Sequence, residues 1–193
     1  MAWLKEGAYQ KQIIIYLNNR AFGQAYDFSR EYLTAYPNDM AAHFLAAKSS
    51  LKAGKLEEAA LEARKAFNLA KAESDMLMCA IHGAVAYFRL GDYRKGYELL
   101  KATDGSAPCQ EVEQLAFLFC LALDMDCEGA THFKNMFAID KDCAGKFVTA
   151  VAEGVPIDYD KILKKADKFD RVDLVILISI GFLSFLGRCI LGP

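Results

Sequence analysis

The sequence predicts an all-α chain: an α-solenoid of antiparallel helix pairs, followed by a hydrophobic C-terminal helix. Three observations carry this reading. Apolar residues recur at helical spacing in 43–51 and 78–90, and no stretch alternates as a half-buried strand does. A pattern of about thirty-four residues repeats along most of the chain. Only four prolines and no Ser/Gly-rich run leave little room for a linker.

The repeats begin at Glu6, Met40, Leu77 and Glu111, with offsets of 34, 37 and 34 residues. Each has a small residue at its twentieth position: Ala25, Ala59, Gly96 and Ala130. A small residue inside the second helix of a pair lets the first helix approach closely. The seventeenth position is bulky in Phe22, Leu56 and Tyr93, with Cys127 in the fourth repeat. Gly54 and Gly91 stand in the turns between paired helices, where the backbone needs a conformation other residues dislike. Arg20 takes that place in the first repeat, and Met125 and Cys127 occupy the turn of the fourth. Pro37 and Pro108 end second helices and set up the next first helix. Beyond Cys143 the pattern fades. The stretch "GKFVTAVAEG" (145–154) reads as the first helix of a fifth, incomplete unit. The Val155–Pro156 step breaks it. Asp158 or Asp160 then caps a short helix, "YDKILKKADKF", with four lysines. The expected organisation is a repeat domain over 1–154, a basic connecting helix over 155–171 and a hydrophobic helix over 172–193.

The stretches "LKAGKLEEAALEARKAFNLA" (51–70) and "AYFRLGDYRKGYELLKA" (86–102) resemble the tetratricopeptide repeat family. Gly91, Asp92, Tyr93 and Gly96 match its turn and small-residue pattern, as do Gly54, Leu56 and Ala59. Phe22, Ala25 and Pro37 keep part of it, and the resemblance covers about four repeats over residues 6–144. It implies that the first helices line a concave groove through positions two, five, nine and twelve of each repeat. Those positions hold Gly7, Gln10, Ile14 and Leu17, then Ala41, Phe44, Lys48 and Leu51. The third repeat supplies Met78, Ile81, Val85 and Phe88, and the fourth Val112, Leu115, Phe119 and Ala122. The implied groove is apolar, with Lys48 its one charge, and suits an apolar helix or peptide. A register slip of one position would move any of these residues into the core between helices. Relatives that bind chaperone C-terminal carboxylates use a Lys, Arg and Asn clamp. Here Gln10, Ile14, Leu45, Met78 and His82 stand at the corresponding places, and an unpaired buried carboxylate is costly.

Several functions are disfavoured. A net charge of −2 and a pI near 5.9 provide no basic field for nucleic acid. The six cysteines form no C-x-x-C pair and read as reduced thiols of a cytoplasmic protein. The three histidines are far apart, and His43 falls where the family often has an aromatic, which implies a packing role. With no nucleotide-binding, nucleophile or metal motif, no cofactor and no enzymatic activity are expected. The N-terminus shows no secretory signal pattern.

The tail is the ambiguous part. Residues 174–186 form an uncharged run of thirteen, whereas a bilayer span needs ~20. Extension to Leu191 gives eighteen, with Arg188 able to snorkel. Lysines and Arg171 flank its N-terminal side, the layout of a tail anchor. Ser179, Gly181, Ser184 and Gly187 equally suit close packing on protein, in a groove or against a second copy. The expected function is a scaffold or adaptor that binds protein partners through its groove. Its rivals are a membrane-tethered adaptor with contact through 172–191, a chaperone for hydrophobic secreted proteins, and a subunit of a larger repeat assembly.

Overall fold

A computed structural model describes residues 5–103 and 109–166, so the tail from residue 172 and Pro108 lie outside the described residues. The described residues form α-helices and no strand. The helices are α1 (Glu6–Asn18), α2 (Phe22–Ala35), α3 (Met40–Lys52), α4 (Leu56–Leu69) and α5 (Glu73–Leu90). They continue with α6 (Tyr93–Lys101), α7 (Gln110–Ala122), α8 (Asp126–Ile139), α9 (Lys141–Ala152) and α10 (Tyr159–Ala166). Each odd-numbered helix up to α7 packs on the helix that follows it, and each even-numbered one up to α8 on the next odd one. The first helices also touch each other, α1 on α3, α3 on α5 and α5 on α7. That is the nearest-neighbour stacking of a solenoid.

One turn, used repeatedly, generates the stacking. Arg20, Gly54, Gly91 and Asp124 all have φ between 55° and 78°. After each, the next residue's N–H donates to the carbonyl five positions back: Ala21 to Tyr16, Lys55 to Ser50, Asp92 to Tyr87, Met125 to Cys120. This closes the first helix with the left-handed cap that glycine adopts at least cost. Gly154, with φ of 69°, ends α9 the same way, through Val155 N–H to Ala150. Pro156 follows, and the chain turns back into α10 rather than starting a second helix.

The second helix starts two residues after each of the four inter-helix turns, and a small buried residue comes three positions later. Ala25 and Ala59 are buried in this way. Gly96 is tighter, since a Cβ there would lie 2.3 Å from the Phe119 ring. In the fourth repeat the register differs from the expected one. Asp124 follows Gly91 by thirty-three residues, so the small contact residue is Gly129. A Cβ on Gly129 would meet the Cys120 Cβ at 3.3 Å, whereas Ala130 is exposed. The repeat therefore starts at Gln110, not Glu111. In the third repeat, α5 begins at Glu73, one turn earlier than the expected Leu77.

The first repeat has its own core of Tyr9, Ile13, Tyr32, Ala42 and Leu45. Tyr9 stacks on Tyr32 at 5.2 Å between centroids, and the Tyr32 hydroxyl donates to Asp39 at 2.5 Å. Asp39 in turn caps α3 by accepting from Ala41 and Ala42. His43 does more than pack. Its Nδ1 lies 2.5 Å from Glu62 of α4 and its Nε2 2.9 Å from the Pro37 carbonyl. Both ring nitrogens face acceptors, so the imidazolium form is favoured and the His43 pKa is raised, chiefly by the Glu62 hydrogen bond. Burial works against the Glu62 charge, but hydrogen bonds from His43 and Lys65 outweigh it and its pKa is lowered.

Candidate interaction groove

The first helices carry the predicted groove residues, and packing decides which of them reach the surface. Phe44 and Met78 are buried with Ala66 and Cys79 between α3, α4 and α5, and the Phe44 ring meets His82 edge-on at 4.9 Å. Leu51, Ile81, Val85, Leu115 and Phe119 are buried in the main core. Phe119 packs over Gly96 of α6, and the one-residue register shift of the fourth repeat brings Gln114 to the groove position, where it lines a cavity beside α10. Among the larger side chains expected to line the groove, Ile14 is 47% exposed, and Leu17, Lys48 and Phe88 are half-buried.

What covers much of this face is the chain itself. Ile162 and Leu163 of α10 are buried in the same cluster as Leu51, Ile81, Val85 and Leu115. The Tyr159 ring lies 5.9 Å from that of Phe88. Asp160 Oδ1 sits 2.5 Å from Lys52 Nζ, closing an ion pair across 108 residues of sequence. The Lys52 hydrogen bond lowers the Asp160 pKa, and burial raises that of the Tyr159 phenol. The expected basic connecting helix is thus amphipathic. Tyr159, Ile162 and Leu163 fall at i, i+3 and i+4, the spacing that puts side chains on one helix face. That signal was present in "YDKIL" but is overshadowed by its lysines.

Two cavities of about 460 and 450 Å³ flank α10 on the side of the early repeats. Leu17, Phe22 and Leu51 give them apolar walls. Arg20, Lys48, Lys52 and Arg89 also line them, so the face holds more than the single expected charge. Apart from Lys48, these cations come from the ends of first helices and from a turn, positions outside the lining register. A third cavity of about 240 Å³ separates α10 from α7 and α9, bounded by Gln114, Phe147, Val151 and Ile157. The buried thiols of Cys79 and Cys109 are pushed up to about 12, which keeps them protonated and poorly nucleophilic. Among the described residues no helix is long and apolar enough to cross a membrane.

Stacked helix pairs with a repeated left-handed turn and a small residue three positions into the second helix define a tetratricopeptide-type solenoid. Solved structures agree with that fold. MamA 41-end from Desulfovibrio magneticus RS-1 superposes with a TM-score of 0.64 at 14% identity, covering 89% of this chain and 98% of its own. A structure described as YrrB, a TPR protein with an unusual peptide-binding site, gives 0.61 at 14% identity, covering 90% of each chain. Another MamA crystal structure gives 0.63 at 14% identity over 73% of this chain and 76% of its own. No family model matches the sequence, and no curated protein matches it.

Proposed function

We propose that this chain is a non-enzymatic interaction scaffold whose concave face takes up an amphipathic helix or apolar peptide from a protein partner. One observation carries the reading: an amphipathic helix, α10, already lies on that face, with its apolar side chains in the core and its carboxylate on Lys52. A face that accommodates such a helix in cis has the shape and chemistry to accommodate one in trans. The peptide-binding site named for YrrB, which shares the fold, supports the same reading. Leu17, Lys48 and Phe88 would meet the partner directly. Ile14 extends the surface, and Leu51, Ile81 and Val85 form the floor beneath α10. Phe44, Met78, Leu115 and Phe119 shape the face from inside. A cytoplasmic setting, which rests on six cysteines without a C-x-x-C pair, and a tether or a homo-oligomer through 172–191, which rests on the uncharged run 174–186, belong to the same proposal.

The test is site-specific photo-crosslinking in the native source. A photoreactive residue at Leu17 or Phe88 should capture a partner, whereas one at Leu61 on α4, 52% exposed, should not. Capture from Leu61 alone would put the interaction on another face and refute the groove.

A further inference from the structure

The seat of α10 says what kind of helix the groove takes and what such a partner must remove; this rests on the scaffold reading above. Helix α10 is held on the surface that receives it by burial of Ile162 and Leu163 and by the Asp160–Lys52 pair. It does not fill that surface. The flanking cavities of about 460 and 450 Å³ remain beside it. Among the described residues, their walls from the repeats carry Arg20, Lys48, Lys52 and Arg89, and no carboxylate; the acids that line them, Asp158 and Asp160, both come from the α10 segment. Asp160 pairs with Lys52, while Lys164 of α10 adds a further positive charge to the larger cavity.

We propose that the α10 segment is a built-in competitor, and that the partner is a longer, acidic amphipathic helix that displaces it. Such a helix would repeat the aliphatic pair of Ile162 and Leu163 and the carboxylate on Lys52. Further acids, placed where Lys164 now stands, would face Arg20. Like charge disfavours α10 at that end, and opposite charge favours the partner. Because α10 must leave first, the apparent affinity of the free chain is lowered by the fraction of molecules with the groove open.

The experiment uses the full chain and two labelled peptides of sequence 155–168, one native and one with K164E and K165E. The acidic peptide should bind at least 3-fold more tightly than the native one. Replacing Ile162 and Leu163 by Asp in the full chain should release α10 and raise affinity for both peptides at least 10-fold. Adding K52E to that chain should remove most of the gain. A folded I162D/L163D chain that binds no better, or a gain indifferent to K52E, overturns the proposal. Should that variant unfold, D160K breaks the ion pair without placing charge in the core and should raise affinity at least 3-fold. If D160K also unfolds the chain, or leaves affinity unchanged, α10 is a fixed part of the core and the competitor role is refuted. A partner crosslinked at Leu17 or Phe88 with no peptide gain would sink the competitor and spare the scaffold. Peptide gain with capture only at Leu61 would do the reverse.

Discussion

Replacing Gly96 by alanine should destabilise this protein, although glycine in a helix interior normally costs roughly 1 kcal/mol relative to alanine. The sign is reversed by packing. An added Cβ would lie 2.3 and 2.5 Å from two atoms of the Phe119 ring and 3.1 Å from the Tyr87 Cβ. Phe119 is fully buried, with the Phe88 ring at 5.2 Å and the Tyr93 ring at 6.5 Å, so it has little room to retreat. Overpacking of this kind costs about 1–3 kcal/mol, occasionally more. Contacts of 2.3 and 2.5 Å on a ring with little room to retreat belong in the upper half of that range, about 2–3 kcal/mol, so after the helix-propensity gain the net loss should be about 1–2 kcal/mol, or roughly 2–8 °C in Tm for a chain of this size. Gly145, in α9, is the control: nothing lies within 4 Å of its virtual Cβ, so G145A should stabilise by up to about 1 kcal/mol. Thermal and urea unfolding followed by circular dichroism would measure both. A second replacement, F119L, should be less damaging in G96A than in the parent chain, because it makes room for the new methyl. An unchanged or raised Tm for G96A would refute the claim that the α6–α7 contact requires glycine.

Three further outcomes are expected. The His43–Glu62 pair makes stability depend on pH on both sides: the Glu62 contribution, present above its unfolded pKa near 4.5, is lost as pH falls through its lowered folded value, and the His43 contribution, complete below its unfolded pKa near 6.5, is lost as pH rises through its raised one. Unfolding measured from pH 3 to 9 should show both declines, and E62Q, which leaves His43 buried without its carboxylate, should cost about 3 kcal/mol and flatten the profile. The R20G variant should raise stability by up to about 1 kcal/mol, since Arg20 holds a φ of 58° that glycine adopts freely; a lower Tm would show that Arg20 makes a compensating contact. A 1–171 chain should keep its helical signal and its Tm within a few degrees, because Ile162 and Leu163 of α10 are already buried in the main core; collapse of the signal would show that residues 172–193 contribute to that core.

The period, the helix pairing and the turn positions were legible in the sequence because they depend on local chemistry. Gly54 and Gly91 announce left-handed caps, and Ala25, Ala59 and Gly96 announce close helix contacts. The fourth repeat differs by one residue from the register its sequence suggests, for the same reason. Asp124 adopts the left-handed conformation without being glycine, and Gly129 and Ala130 are both small, so sequence offers no way to choose between them. That single step decides whether Leu115 or Gln114 stands at the groove position of α7. His43 looked like a packing residue because its acceptors, Glu62 and the Pro37 carbonyl, come from a different helix and a turn.

By itself, then, the sequence determined the all-α repeat architecture, since helix periodicity and turn chemistry act over a few residues at a time. Only the tertiary structure decided what the concave face is. It brought Lys52 to Asp160 across 108 positions and laid Ile162 and Leu163 over the first helices. Contacts at that separation leave no periodic trace in a single chain. They exist because an amphipathic helix gains most of its stability from burial on a surface that four stacked repeats must first create.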